Sequence, residues 1–334
     1  MNITVLGAGS WGTTLALVLH KNNHRVTLWT FDAKQAASIK ETLENKDVLP
    51  GILLPKEIEI STDLEASCSH KDMIVTAVPS QFLRAVLQGI AHLDLSNTII
   101  CNVAKGIENG SLMTMSEVLL DVLMHERKEN IAILSGPSHA EEVSREIPTM
   151  VVAAAFKTKV ARIVQDAFMT HYFRVYINED IRGVELGGAI KNVIAIAAGL
   201  SDGVGFGDNT KAAIMTRGIY EITRLGDKMG AQPITFAGLS GMGDLIVTCM
   251  SRHSRNRHVG EEIGKGRSVS EVLGEMIMVA EGVPTTKSVH QLAQKNHVDM
   301  PMAEEVYKVL YENKDPRQAT LDLIGRDTRG EGSH

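Results

Sequence analysis

Between Glu185 and Asp202 the chain carries a single charge, Lys191, inside GGAIKNVIAIAAG (Gly187 to Gly199), a run that is otherwise small or aliphatic. An unpaired ammonium in a helix core is costly, so the group must shed its proton or find partners. A lysine with a lowered pKa is a useful acid or base near neutral pH. Hydride transfer to a carbonyl leaves an alkoxide, which needs a proton from such a group. Asn192, next in sequence, could orient substrate hydroxyls. The competing reading is a lysine that snorkels out of the helix while its methylenes pack. The density of glycine and alanine favours the first, because small residues let a ligand or another backbone come close.

Three further segments carry chemistry. NVAKGIE places Lys105 just past a strand, and SGPSHAEE does the same with Gly136, Pro137 and Ser138 before a helix. In open α/β sheets ligands collect beyond the carboxyl ends of the strands; the plainer readings are a surface lysine and a capped turn. In GMGDLIVTCMSRHSRNRH, Arg252, Arg255 and Arg257 lie close together with His253 and His258, with no acid among them. Arginine forks match phosphate oxygens, and helix N-terminal amides add to them. A nucleic-acid patch is disfavoured because the run is short, lacks interleaved aromatics and sits in an acidic protein; a solvated helix face is the remaining alternative. Asp244, upstream, could accept a hydrogen bond from a substrate hydroxyl, pair with Lys191, or cap LIVTCM.

These groups need elements to hold them. VLGAGSWGTTLAL sets Gly7, Gly9 and Gly12 in the G-x-G-x-x-G spacing, after a first strand and opening a helix. Gly7 permits the tight turn, Gly9 lets the backbone approach a pyrophosphate, and Gly12 lets helix and strand pack closely. The helix N-terminus then faces the phosphates. The end of the second strand, Thr30, Phe31 and Asp32, should read the adenosine ribose. Asp32 has the spacing for NAD but also suits a helix N-cap, and no Arg or Lys stands there for the NADP phosphate. NAD or NADP is therefore the cofactor.

Strand-like runs continue as RVTLW, DMIVTAV, TIICNVA, IAILSG, TMVVAAA and YFRVYI, with helical patterns such as QFLRAVLQGI between several of them. Such alternation implies a parallel sheet covered on both faces. After about Ile181 the periodicity is helical, as in VELGGAIKNVIAIAAGL, TKAAIMTRGIYEITRLGDKMG, SVSEVLGEMI, TKSVHQLAQKN and PMAEEVYKVLYEN. The expected fold is α/β. Residues 1–180 form a Rossmann-type dinucleotide-binding domain with a mostly parallel sheet, and 181–334 form an all-helical substrate-binding domain, ending in a polar GEGSH tail. A chain of 334 residues exceeds the size at which one core keeps growing.

A net charge of -6 disfavours nucleic acid and anionic lipid, so an anionic ligand requires a local cationic cluster. Three widely spaced cysteines without a CxxC argue against a disulfide framework or structural zinc and fit a reducing cytoplasm. No apolar run approaches the roughly 18 residues of a membrane span, and no basic n-region precedes the first apolar residues. His20 and His24 lack a third ligand, and neither HExxH nor a G-x-S-x-G elbow occurs, so no metal is expected.

Taken in order, GAGSWGT, AKGIE, SGPSHAEE, GGAIKNVIAIAAGLSDG, GMGDLIVTC, SRNR and VAEGVPTTK resemble bacterial NAD(P)-dependent glycerol-3-phosphate dehydrogenase. The resemblance implies reversible reduction of dihydroxyacetone phosphate to sn-glycerol 3-phosphate by a cytoplasmic, commonly dimeric enzyme that supplies the phospholipid backbone. It implies that Ser10 and Trp11 contact cofactor and that Lys105 lies near both cofactor and substrate. Gly136 and Ser138 would line the substrate site and Ala140 would reach the cofactor. Lys191 would be the proton donor in reduction and the acceptor in oxidation. Asp244, Ser254, Arg255 and Asn256 would hold substrate, with Arg255 also touching cofactor, and Val279 and Glu281 would close over the cofactor. Where the family often has a basic residue or histidine this chain has Phe31, a departure that bears on NADP preference.

Overall fold

The computed structural model describes residues 1–123 and 128–325; the polar 330–334 tail lies outside the described residues. Eight strands form one sheet: β1 (Asn2–Leu6), β2 (Arg25–Trp29), β3 (Glu59–Ser61), β4 (Met73–Thr76), β5 (Ile99–Asn102), β6 (Ile131–Ser135), β7 (Thr149–Ala155) and β8 (Phe173–Asn178). Their spatial order is β3-β2-β1-β4-β5-β6-β7-β8. The first six run parallel in the doubly wound order 3-2-1-4-5-6. β7 lies antiparallel to β6, and β8 runs parallel to β7. The central strands are buried on both faces, which explains why they read as near-continuous apolar runs. The short edge strand β3 carries only Glu59, Ile60 and Ser61 and offers no such run.

Strand order reverses between β1 and β4, so the crevice for a dinucleotide opens beside the glycine loop. Gly7 has φ +109°, and a Cβ there would sit 2.8 Å from the Ala77 carbonyl oxygen past β4. A Cβ on Gly12 would overlap the Gly7 carbonyl oxygen, while the space around Gly9 is open. Gly7 and Gly12 therefore serve the turn and the packing that their spacing predicts, and Gly9 leaves its surroundings open.

Past Asn178 the described residues are helical. Asp180 caps the helix Ile181–Val204, accepting from Gly183 N at 2.9 Å, and Gly205 with φ +89° ends it. This helix is long and apolar enough, by length and composition, to cross a membrane, which corrects the expectation that no run approaches a span; all of its apolar window is packed inside the protein. Around it stand Asp208–Lys228, Asp244–Met250, Arg255–Gly264, Gly282–Lys295 and Pro301–Tyr311. One apolar core surrounds this helix and two others flank the sheet. Ile107, beyond β5, belongs to the helical core, while Val103 belongs to a sheet core, so the Lys105 loop ties the sheet to the helices.

Candidate active site

The carboxyl ends of β5 and β6 face the middle of the helix Ile181–Val204. Lys191, 5% exposed, does not reach for water. Its Nζ donates to Asp244 Oδ1 at 3.0 Å and to Thr248 Oγ1 at 2.7 Å. The other oxygen of Asp244 accepts from Lys105 Nζ at 2.7 Å, and Lys105 also donates to the Gly136 carbonyl at 2.9 Å. One buried carboxylate therefore joins two ammonium groups brought from different halves of the chain. Burial pushes the Lys191 amine down to about 8, offset in part by Asp244 and reinforced by the neighbouring Lys105. Burial alone would raise Asp244, but Lys105 and Lys191 together hold it below the usual carboxylate range.

Local sequence explains the convergence. Gly188 leaves room for the Ser135 hydroxyl at the end of β6: a Cβ there would stand 2.7 Å from Ser135 Oγ, with the Lys105 stem in ordinary contact at 3.6 Å. Asp244 opens its helix after a turn of π-helix, Leu239–Gly243, a form frequent at functional positions. The cap position is Gly243 and no side chain caps it, so the capping alternative for Asp244 falls away. Lys105 is likewise no surface lysine. Its loop is clamped by Asn192, whose Nδ2 donates to the Lys105 carbonyl at 3.2 Å, and by Ser288 Oγ, which donates to Asn109 Oδ1 at 2.7 Å.

Asn192 differs from its expected role. Its Oδ1 accepts from Asn256 Nδ2 at 2.9 Å, and Asn256 Oδ1 accepts from Gly282 N at 2.8 Å. Both amides latch three segments together. Ser254, placed by sequence at the substrate, caps the helix Arg255–Gly264, its hydroxyl accepting from Arg257 N at 3.2 Å. Arg255 and Asn256 form the first turn of that helix, where backbone amides lack intrahelical partners. Arg255 donates to the Val279 carbonyl at 2.9 Å. Of its basic neighbours, Arg257 is paired with Asp202 and Glu261, and Arg252, His253 and His258 are exposed.

Residues 2–161 match the family model for the NAD-dependent glycerol-3-phosphate dehydrogenase N-terminus, and residues 180–321 match the model for its C-terminus. The chain belongs to the NAD-dependent glycerol-3-phosphate dehydrogenase family. It is 54% identical over 331 residues to the glycerol-3-phosphate dehydrogenase [NAD(P)+] of Pelodictyon phaeoclathratiforme, covering 99% of each. It is 53% identical over 330 residues to that of a Geobacter species, covering 99% of this chain and 98% of the relative. The crystal structure of glycerol-3-phosphate dehydrogenase from Coxiella burnetii superposes with a TM-score of 0.93 at 37% identity, over 97% of this chain and 99% of that one.

In this member of the dehydrogenase family, the cradle expected for a dinucleotide lies beside the two-lysine cluster. Gly9 precedes Ser10, the first residue of the helix Ser10–Lys21. Trp11 Nε1 is buried with no protein partner, and Thr14 Oγ1 reaches the Ala140 carbonyl at 3.4 Å. Open space over Gly9, the glycine contacts and the orphaned indole fit the pyrophosphate of NAD(P). Glu281 ties the helical half to the loop after β4, accepting from Ser80 N at 2.8 Å and from the Ser80 hydroxyl; burial raises its pKa despite these bonds. At the end of β2, Phe31 is 86% exposed. Asp32 caps the helix Ala33–Thr42, accepting from Lys34 N at 2.8 Å and Gln35 N at 3.3 Å, which is the capping alternative read from its position. Sequence reasoning missed Thr248, one turn beyond Asp244, and the Ser80–Glu281 pair, whose partners are 201 residues apart.

Proposed function

We propose that this chain reversibly reduces dihydroxyacetone phosphate to sn-glycerol 3-phosphate with NAD(P)H, acting as a cytoplasmic homodimer that supplies the phospholipid backbone. The observation that carries the reading is the buried Lys191–Asp244–Lys105 cluster at the mouth of the dinucleotide crevice. Residues 1–180 take the cofactor, through Gly7, Gly9, Ser10, Trp11, Gly12 and Ala140; residues from 181 onward hold the substrate. A bound nicotinamide supplies a hydride for the carbonyl carbon in reduction, or takes one from the carbinol carbon in oxidation.

The protein's own groups do the rest. The Lys191 ammonium, its pKa near 8, gives a proton to the oxygen that becomes an alkoxide; in oxidation the free amine takes that proton back. Asp244 keeps the amine charged and aimed. Lys105, fixed against Gly136, adds positive potential where negative charge develops. The first turn of the helix Arg255–Gly264, together with the Arg255 guanidinium, holds the phosphate, with Ser138 beside it. Val279 and Glu281 close the cofactor side, Arg255 linking the two.

Lys191→Ala tests the reading. It should leave NADH binding intact and lower kcat for dihydroxyacetone phosphate by about 10²–10⁴-fold, the usual worth of a positioned acid. A variant with near-normal kcat removes Lys191 from the chemistry.

A further inference from the structure

Three buried polar side-chain atoms without a protein partner lie at the carboxyl edge of the sheet: Trp11 Nε1, Ser135 Oγ at the end of β6, and His139 Nε2. The first belongs with the dinucleotide cradle, and the second packs against Gly188. His139 has no role in the chemistry so far described. It follows the Gly136–Pro137–Ser138 turn, which Lys105 grips through the Gly136 carbonyl. The charged groups that face it are Lys191, Glu141, Asp244 and Lys105. On the other side its ring stands 6.0 Å from that of His253, at 55°, two residues before Arg255. His139 therefore lies between the two-lysine cluster and the arginine turn, where a three-carbon phosphate ester must span from the proton donor to the anion site.

We propose that His139 contacts substrate, its Nε2 hydrogen-bonding an oxygen of the phosphorylated triose beside Lys191. The proposal rests on the reading of this cleft as the glycerol 3-phosphate site. A buried ring nitrogen left unpaired is unfavourable, and a ligand oxygen relieves it. The residue type also suits the place. Burial, and then the nearby Lys191, lower the pKa of His139 from its ordinary value, so the imidazole is neutral at pH 7. A neutral ring offers a hydrogen bond without adding a third cation, which would drive the proton off Lys191.

The test compares His139→Phe, which keeps a flat ring, with His139→Gln, which keeps a side-chain amide donor and acceptor at similar reach. Steady-state kinetics with dihydroxyacetone phosphate are read beside the Kd for NADH from fluorescence titration. His139→Phe should raise KM and lower kcat/KM by about 10–100-fold, the range for losing a hydrogen bond to a charged ligand. Its NADH Kd should stay within about twofold, and His139→Gln should recover a large part of the loss. A His139→Phe enzyme with unchanged KM overturns the assignment. So does a His139→Gln enzyme as impaired as the phenylalanine variant, or an NADH Kd that worsens in step with KM. Lys191→Ala assayed alongside separates the two levels. If it stays active, the reading of the cleft fails; if it is inactive while His139→Phe is normal, only the histidine assignment fails.

Discussion

Replacing Asp244 by asparagine removes one negative charge with almost no change in volume, and the consequence follows from the geometry. Asp244 takes Lys191 Nζ at 3.0 Å and Lys105 Nζ at 2.7 Å. At an effective dielectric of about 20, unit charges at the first of these distances attract by roughly 5 kcal/mol. That corresponds to roughly 4 units of pKa. The amide dipole, the Thr248 hydroxyl and admitted water return part of it, so a fall of at least ~1 unit is expected for Lys191 from its value of about 8. The sign is set by the reaction. With Lys191 as the proposed proton donor, reduction needs the ammonium, so kcat/KM for dihydroxyacetone phosphate declines as pH rises through the Lys191 pKa. Oxidation needs the free amine, so its rate rises through the same value. In Asp244→Asn both midpoints move to more acidic pH, and the reduction lost near neutrality returns in part as pH is lowered. The assay is kcat/KM in both directions between about pH 6 and about pH 10, where the free enzyme's acid is reported. The midpoint is independent of any general loss of substrate affinity from the missing carboxylate. Breaking a buried pair costs about 3–5 kcal/mol of stability, so thermal melting must show a folded variant across the range. A midpoint that stays in place, or moves to alkaline pH, refutes the coupling of these two residues.

Two further outcomes follow from neighbouring contacts. Thr248→Val removes the acceptor 2.7 Å from Lys191 Nζ and keeps the shape; loss of a hydrogen bond to a charged group should lower kcat/KM for reduction by about 10-fold or more, and unchanged kinetics would show that the hydroxyl is idle. Glu185, buried on the helix Ile181–Val204, accepts from Ser116 N at 2.7 Å and from the Ser116 hydroxyl, and burial pushes its carboxyl up to about 7. Its folded-state pKa is raised, so its stabilising contribution is complete below the unfolded value of 4.5 and is lost as pH rises through about 7; the loss is on the order of 3 kcal/mol. Glu185→Gln should flatten urea-unfolding midpoints between about pH 5 and about pH 8, and a slope equal to wild type would refute the assignment.

The parts of the fold that read clearly from sequence are those written in local periodicity. Strands β1, β2 and β4–β8 carry runs of apolar residues, and the glycine loop carries a spacing with a steric reason at each position. The short strand β3 carries no pattern, because three residues with one buried side chain make no period. The helices Asp244–Met250 and Arg255–Gly264 entered the sequence reading only as alternatives, a capped LIVTCM and a solvated helix face, because an acid among glycines and a cluster of arginines and histidines read first as chemistry. At the site, residue types announced themselves while pairings did not. Lys191, Asp244 and Lys105 stand out because each is a charge in an apolar or glycine-rich setting, but the bridge between the two lysines spans 139 residues from Lys105 to Asp244. Asn192, Asn256 and Ser254 illustrate the converse. They read as substrate ligands by position, and the structure shows a second use of their side chains within the protein, as latch and cap.

The glycines explain why those latches are needed. Gly199 and Gly203 lie four apart on the helix Ile181–Val204, and Gly260 and Gly264 lie four apart on Arg255–Gly264, so each pair shares one helix face. A Cβ on Gly199 would overlap the Arg257 carbonyl oxygen, one on Gly203 that of Glu261, and one on Gly260 that of Ile196. The two helices therefore meet backbone to backbone, with no room for a side chain at these positions. Small residues beside Lys191 suggested close approach by a ligand or by another backbone, and the second occurs on this helix: Gly199 and Gly203 admit the helix that begins with Arg255. Lys191, the proposed proton donor, sits two turns from this crossing, and Arg255, the proposed phosphate ligand, sits at the start of the crossing partner. Their separation is fixed by backbone contact, which does not change with side-chain rotamers. The Asn192–Asn256–Gly282 chain of hydrogen bonds then sets the rotation of one helix about the other. A rigid spacing between acid and anion site is what a substrate of one length requires, since misplacement by about 1 Å costs on the order of 10²-fold in rate.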